Sequence, residues 1–144
     1  MTTISAADRQ LLDLLAENAR MPVAMLARRL HLSRTTVQAR LERLEASGVI
    51  AGYGVRLSEE AEHGIVKAHV LITLATKALP QVTRDLDALR EVRALHSVSG
   101  SFDLIAILAA PSISALDAVI DRIGSLDGVE KTLSSIILST RIDR

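Results

Sequence analysis

From Ile65 onward one pattern occurs twice, and that repeat limits the possible folds more than any other feature of the chain. "IVKAHVLITLA" predicts a strand over about Ile65–Ala75. "LPQVTRDLDALREV" follows, with Val82, Leu86 and Leu89 at helical spacing, and "ALHSVSG" predicts a short strand. The order then returns. A hairpin turn at Gly100-Ser101 leads into the apolar strand "FDLIAILAA". "SISALDAVIDRIGSL" predicts a helix capped by Ser114, with Leu116, Val119, Ile120 and Ile123 along one face. Asp127-Gly128 is a turn, and "VEKTLSSIILSTRI" is a long last strand. Two β-α-β units side by side give an α+β fold, a ferredoxin-like βαββαβ sandwich with both helices on one sheet face. Along the first strand Lys67, His69, Leu71 and Thr73 alternate with Val66, Ala68, Val70, Ile72 and Leu74. Several strands are apolar on both faces, so the open face is expected to meet a second copy rather than water.

Ahead of this sandwich the spacing is helical. "ISAADRQLLDLLAEN" places Ser5 three residues before Asp8, as in a capping box with Asp for Glu, and predicts a helix over about Ala6–Asn18 on Leu11, Leu12 and Leu15. Pro22 fits the first position of a second helix whose stripe is Val23, Leu26, Ala27 and Leu30. After the tight link "HLS", Ser33 caps a third helix that runs to about Ala46, where Gly48 stops it. Three short helices joined this way form a winged-type helix-turn-helix head over residues 1–50. "VIAGYGVRL" reads as an extended connector, and "SEEAEHG" as one helical turn capped by Ser58 and stopped by Gly64. Residues 51–64 are therefore expected to be a linker, and residues 65–144 the second domain.

Charge divides along the same line. The chain of 144 residues balances 17 Lys and Arg against 17 Asp and Glu. Residues 1–57 hold eight Arg against Asp8, Asp13, Glu17, Glu42 and Glu45, a balance of +3; residues 58–144 hold nine cations against twelve acids, a balance of −3. Between Arg20 and Arg43 stand six Arg and one Glu. A basic head on a mildly acidic body suits a polyanionic partner.

The third helix carries that charge in a usable order. With Val37, Leu41 and Leu44 turned to the core, Thr35, Ala39 and Arg43 point away at 100° per residue. Arg34 and Gln38 flank one side, Thr36 and Arg40 the other. In a helix-turn-helix the N-terminal part of the second helix of the motif enters the DNA major groove. There Arg suits guanine and Gln suits adenine. Ser33 and the helix start suit a phosphate, and Arg28 and Arg29 add backbone charge. The competing reading pairs Arg40 and Arg43 with Glu42, Glu45 or other neighbours.

Three segments resemble one family in order along essentially the whole chain. "LSRTTVQARLERLEASGVIAGY" is similar to the recognition helix and following strand of the Lrp/AsnC, or feast/famine, transcriptional regulators. "VSGSFDLIAIL" resembles that family's strand-turn-strand signature, and "GVEKTLSSIIL" its last strand. The resemblance implies double-stranded DNA as a partner, a C-terminal domain that binds amino acids or related metabolites, and homodimers joined sheet to sheet, some assembled into octamers. It also implies an effector pocket between subunits. Phe102 stands where many members carry Tyr, so a hydroxyl contact is lost there.

An amino-acid effector needs donors for its carboxylate, an anion for its ammonium and an apolar wall. The turn Ser99-Gly100-Ser101 offers backbone N–H groups, and Asp103 offers the anion. Ser134 and Ser135 offer hydroxyls, with Val98, Leu104 and Ile136 as the wall.

Other functions are narrowed by composition. With no Cys there is no disulfide, no Cys-ligated zinc and no thiol nucleophile. His31, His63, His69 and His96 have no metal-ligand spacing, so neither metal nor cofactor is expected. No apolar run reaches a membrane span of about 18 residues, and "MTTISAADRQ" lacks the regions of a signal peptide, so a cytoplasmic protein is expected. The rival from another class is an enzyme, a tetrapyrrole-precursor decarboxylase on the same two-domain layout, in which His69 and His96 approach across the sheet. A third reading is an interaction scaffold whose head does not bind DNA.

Overall fold

The computed structural model describes residues 4–58 and 60–142. Three helices come first: α1 (Ala6–Glu17), α2 (Val23–Leu30) and α3 (Arg34–Ala46). The Ser5 hydroxyl accepts from the Asp8 N–H at 3.1 Å and the Asp8 carboxylate accepts from the Ser5 N–H at 3.2 Å, so the capping box is complete. Pro22 is the N-cap of α2 and not its first residue. Its backbone is extended, and its carbonyl accepts from Met25 and Leu26. The link to α3 turns at His31, whose φ of 55° lies in the left-handed region that His enters more readily than most residues. Leu11, Leu15, Leu26, Ala27, Val37 and Leu44 form the core of this unit.

Residues 51–58 form no strand, so the expected wing is absent among the described residues. Tyr53 instead donates to the Glu45 carboxylate at 2.7 Å, which ties the connector back to α3. That hydrogen bond, then desolvation and the Glu45 charge, raise the pKa of the Tyr53 hydroxyl. The chain divides into two compact units, Met1–Leu57 and Ser58–Arg144, so the boundary falls inside the stretch expected as a linker. The later part of that stretch belongs to the second unit. Ala61 is bonded to the Ser58 hydroxyl at 3.2 Å, Lys67 reaches Glu62 at 2.6 Å, and Gly64 takes a φ of 93°.

The second unit runs β1 (Val66–Leu74), α4 (Leu79–Asp87), β2 (Val92–Ser97), β3 (Leu104–Ala110), α5 (Ile113–Gly124) and β4 (Val129–Ile137). Its sheet has the order β2-β3-β1-β4, antiparallel throughout. Ala68, Val70 and Ile72 of β1 and Leu104, Ala106 and Leu108 of β3 pack under Val82, Leu86, Leu116, Val119 and Ile123 of the helices. Each fully buried Leu, Ile or Val there contributes roughly 1.5–3 kcal/mol. Ser112 caps α5, its hydroxyl accepting from the Ala115 N–H at 3.1 Å; Ser114, the expected cap, lies inside the helix. At Gly128, φ is 89° and an added Cβ would stand 2.5 Å from the Ala78 Cβ, so the turn into β4 requires glycine for both conformation and space.

Pairing sets the composition of the open face. Ile107, His69 and Ser135 lie in one cross-strand row, and Ile105, Leu71 and Leu133 in the next. Leu133 is half exposed, and Leu71, Ile105 and Ile107 are partly exposed. The face is largely apolar, with His69 in its middle and His96 on its β2 edge.

Candidate nucleic-acid interface and effector site

Helix α3 is capped at its N-terminus in a way that also orders its first turn. The Ser33 hydroxyl accepts from the Thr36 N–H at 3.1 Å and lies 2.7 Å from the Thr36 hydroxyl. Arg34, Thr35, Gln38 and Ala39 are all exposed and, with Val23 and Glu42, line a shallow cleft of about 490 Å³. Within it the Gln38 carboxamide donates to the Glu42 carboxylate at 3.0 Å. One amide N–H and the amide oxygen of Gln38 remain for another partner. Arg28 and Arg29 sit exposed in the last turn of α2, where a cation also complements the helix dipole. Arg29 lies 3.8 Å from Glu17, with both side chains more than half exposed, so this pair holds it weakly.

Arg40 and Arg43 behave differently. Arg43 is half exposed, in keeping with its expected outward setting, and its Nη2 donates to Asp8 Oδ1 at 2.6 Å, while Arg40 Nη1 approaches the same oxygen at 3.5 Å. Arg40 completes the inward stripe of α3 with Val37, Leu41 and Leu44. Asp8 is 1% exposed, the one buried charged side chain among the described residues. The Ser5 hydroxyl lowers the pKa of its carboxyl most strongly. Burial opposes that, while the Ser5 N–H and the Arg43 guanidinium add to the lowering. Both cations are paired, and their partner is Asp8 and not Glu42 or Glu45. The sequence signal was present in Asp8 itself, an acid at the apolar spacing of α1, but only its capping role is local.

The candidate effector residues are brought together in part. Residues 98–103 connect β2 to β3, with Gly100 at a φ of 115° and the Val98 N–H bonded to the Asp103 carbonyl at 3.0 Å. Asp103 anchors this connection to β1. Its N–H donates to the Ile72 carbonyl at 2.9 Å, and its Oδ2 accepts from the Leu74 N–H at 2.8 Å. Beside it a cleft of about 420 Å³ is lined by Leu74, Thr76, Lys77, Val98 and Asp103 among others. Lys77 holds a φ of 68°, a left-handed conformation that is costly for a long side chain and that no sequence pattern announces. Ser99, Gly100 and Ser101 are exposed and Phe102 is partly buried.

Leu104 does not line this cleft. At 1% exposure it faces the helices and belongs to the core. Ser134, Ser135 and Ile136 stand on β4, paired with Val70, His69 and Ala68 in the middle of β1. Strand β1 lies between β4 and β3, so two strand spacings, about 10 Å, separate them sideways from the β2–β3 connection. A single chain does not join these groups. His69 and His96 are separated likewise. They stand opposite Ile107 and Ile105 from either side of β3, roughly 12 Å apart by strand geometry, too far to act as one acid–base pair.

A capped helix-turn-helix with exposed Arg and Gln at the start of its second helix, joined to an antiparallel βαββαβ sandwich with a cleft at a sheet end, defines a DNA-binding regulator with a ligand-binding domain. Residues 4–45 match the AsnC-type helix-turn-helix domain, and residues 67–144 match the Lrp/AsnC ligand binding domain. The HTH-type transcriptional regulator LrpA of Mycobacterium tuberculosis is 35% identical over 134 residues, covering 92% of this chain and 89% of that protein. The structure of E. coli AsnC superposes with a TM-score of 0.88 at 29% identity, covering 99% of this chain and 97% of that one. A feast or famine regulatory protein from M. tuberculosis, complexed with L-methionine, gives 0.87 at 33% identity, covering 98% and 96%. The chain belongs to the Lrp/AsnC family of transcriptional regulators. Among the described residues no helix is long and apolar enough to cross a membrane.

Proposed function

We propose that this regulator reads a specific DNA sequence through the N-terminal half of α3 and is controlled by a small amino acid bound near the β2–β3 connection. The observation that carries this reading is the exposed set Arg34, Thr35 and Gln38 on a helix start fixed by Ser33. Arg34 and Gln38 take the base edges, as bidentate partners of guanine and adenine. Ser33, Thr35, Thr36 and the first-turn N–H groups meet phosphates, together with Arg28 and Arg29. Residues 1–57 are the DNA-binding part and residues 58–144 the effector-binding and oligomerising part.

In this reading two copies join through the apolar open face of the sheet. Two heads on a two-fold axis then require a roughly palindromic operator. Asp103, with one oxygen already held by Leu74, takes the effector ammonium on the other. The N–H groups of Ser99, Gly100 and Ser101 take its carboxylate, beside Val98 and Phe102. Ser134, Ser135 and Ile136 reach the pocket from another copy. The effector favours one arrangement of copies, and so one spacing of heads, by its difference in affinity between the arrangements. The L-methionine complex of the M. tuberculosis relative supports the effector class. The protein acts in the cytoplasm on DNA and carries out no catalysis, which accords with the separation of His69 and His96.

The test is selection from a random duplex pool with and without each of the common amino acids. A palindromic motif whose enrichment changes with one amino acid is the expected result. Enrichment of no sequence in any condition would remove the reading.

A further inference from the structure

 Helix α3 carries three arginines, Arg34, Arg40 and Arg43, and they differ in what each guanidinium meets. Arg34 is exposed at the helix start with no acidic partner among the described residues, whereas Arg40, about a quarter exposed, and Arg43, half exposed, are both held by one carboxylate oxygen of Asp8, at 3.5 and 2.6 Å. Asp8 belongs to α1, more than thirty residues away in sequence. Its other oxygen is taken by the Ser5 N–H, so the carboxylate is held from both sides. Asp8 sits in the first turn of α1 and Arg43 in the last turn of α3. Each charge therefore also faces the helix end that favours it.

We propose that Asp8 is a positioning residue for DNA recognition: it pins the C-terminal half of α3 to α1 and withholds Arg40 and Arg43 from phosphate, leaving base reading to Arg34 and Gln38. This inference rests on the DNA-binding reading of the head. Its physical consequence is selectivity. Every cation that neutralises a phosphate strengthens binding to all sequences alike, and steepens the dependence on salt by about 0.9 in log–log slope. Two cations kept from phosphate lower the affinity for non-operator DNA without touching the base contacts, which widens the ratio of specific to non-specific binding. The Asp8 carboxylate thus acts on specificity without meeting DNA.

The test uses the intact chain, a fluorescent duplex lacking any operator, and anisotropy titrations from 50 to 200 mM salt, each slope taken per bound head. Asp8→Asn keeps the shape and an acceptor for the Ser5 N–H but removes the charge. It is expected to steepen the slope by about 0.9–1.8, as one or both arginines are released to phosphate. Arg43→Gln keeps a donor for Asp8 and is expected to leave the slope where it is, while Arg29→Gln flattens it by about 0.9. A slope unchanged in Asp8→Asn would overturn the proposal and leave the cluster a purely structural lock. Flattening in Arg43→Gln equal to that in Arg29→Gln would overturn it too, and that variant decides the matter if Asp8→Asn fails to fold. Absence of salt-dependent binding by the wild-type chain would instead remove the DNA-binding reading itself.

Discussion

In the helical head Asp8 meets Arg40 and Arg43 of its own chain, whereas in the sheet Ile105, Leu71 and Leu133 form an apolar row on the face turned away from both helices. The head closes the Asp8 charge internally and leaves Arg34, Thr35 and Gln38 exposed, the set proposed to meet DNA. On the proposed reading the sheet presents half of a surface. Its candidate effector groups are divided in the same way, with Asp103 at a sheet end and Ser134 and Ser135 mid-strand, two strand spacings away. A site completed within one chain is built from side chains that a single sequence can display. A site completed between copies depends on an arrangement that no single chain contains.

The contrast breaks most visibly at the open face. Leu71→Glu places an unpaired carboxylate on that face, and its expected cost to self-association is about 3–5 kcal/mol. Sedimentation should show a monomer for the variant and a dimer for the wild type, with the far-ultraviolet circular dichroism unchanged. A wild type that is already monomeric would end the half-surface view. Next comes Gly128→Ala, which forces a Cβ against Ala78 at a positive φ. It should destabilise the sandwich by about 2–4 kcal/mol in denaturant unfolding.

In the head, Asp8→Asn should cost about 1.5–3 kcal/mol, the scale of hydrogen bonds to a charged group. The pH dependence has a definite sign. The carboxyl of Asp8 has its pKa lowered in the fold, so its contribution is fully present above the ordinary carboxylate value of about 3.9 and lost as pH falls through the lowered one. Unfolding titrations should therefore show a shallower acid limb in Asp8→Asn than in the wild type. The smallest effect is at the cap. Ser33→Ala should cost about 1 kcal/mol of stability, because the Thr36 N–H loses its acceptor.

Local signals in the sequence located most of the fold. Ser5, Ser33 and Gly48 marked helix ends because capping chemistry acts over three or four residues. The alternation from Val66 to Leu74 gave the correct faces of β1, since Ala68, Val70 and Ile72 are buried. The phase of "FDLIAILAA" was hidden because both of its faces are apolar, and Leu104 was placed at the cleft when it belongs to the core. Ser112 and Ser114 flank Ile113, and the stripe of α5 fits a start at either serine; the Ala115 N–H selects Ser112. Arg43 is half exposed, as its outward setting requires, but its partner Asp8 was not legible. The apolar residues of α3 define its faces locally, whereas a buried acid on α1 that holds two of its guanidinium groups lies more than thirty residues away. Lys77 and its backbone strain carried no sequence mark at all.

In the proposed function the start of α3 reads bases. The most direct measurement of this is the binding-sequence profile of Arg34→Ala against that of the wild type, taken at one salt concentration on the same duplex pool. The expected result is a loss of preference of about tenfold to a hundredfold at one base pair in each half-site, with the preferences elsewhere intact. An unchanged profile, with affinity also unchanged, would contradict it.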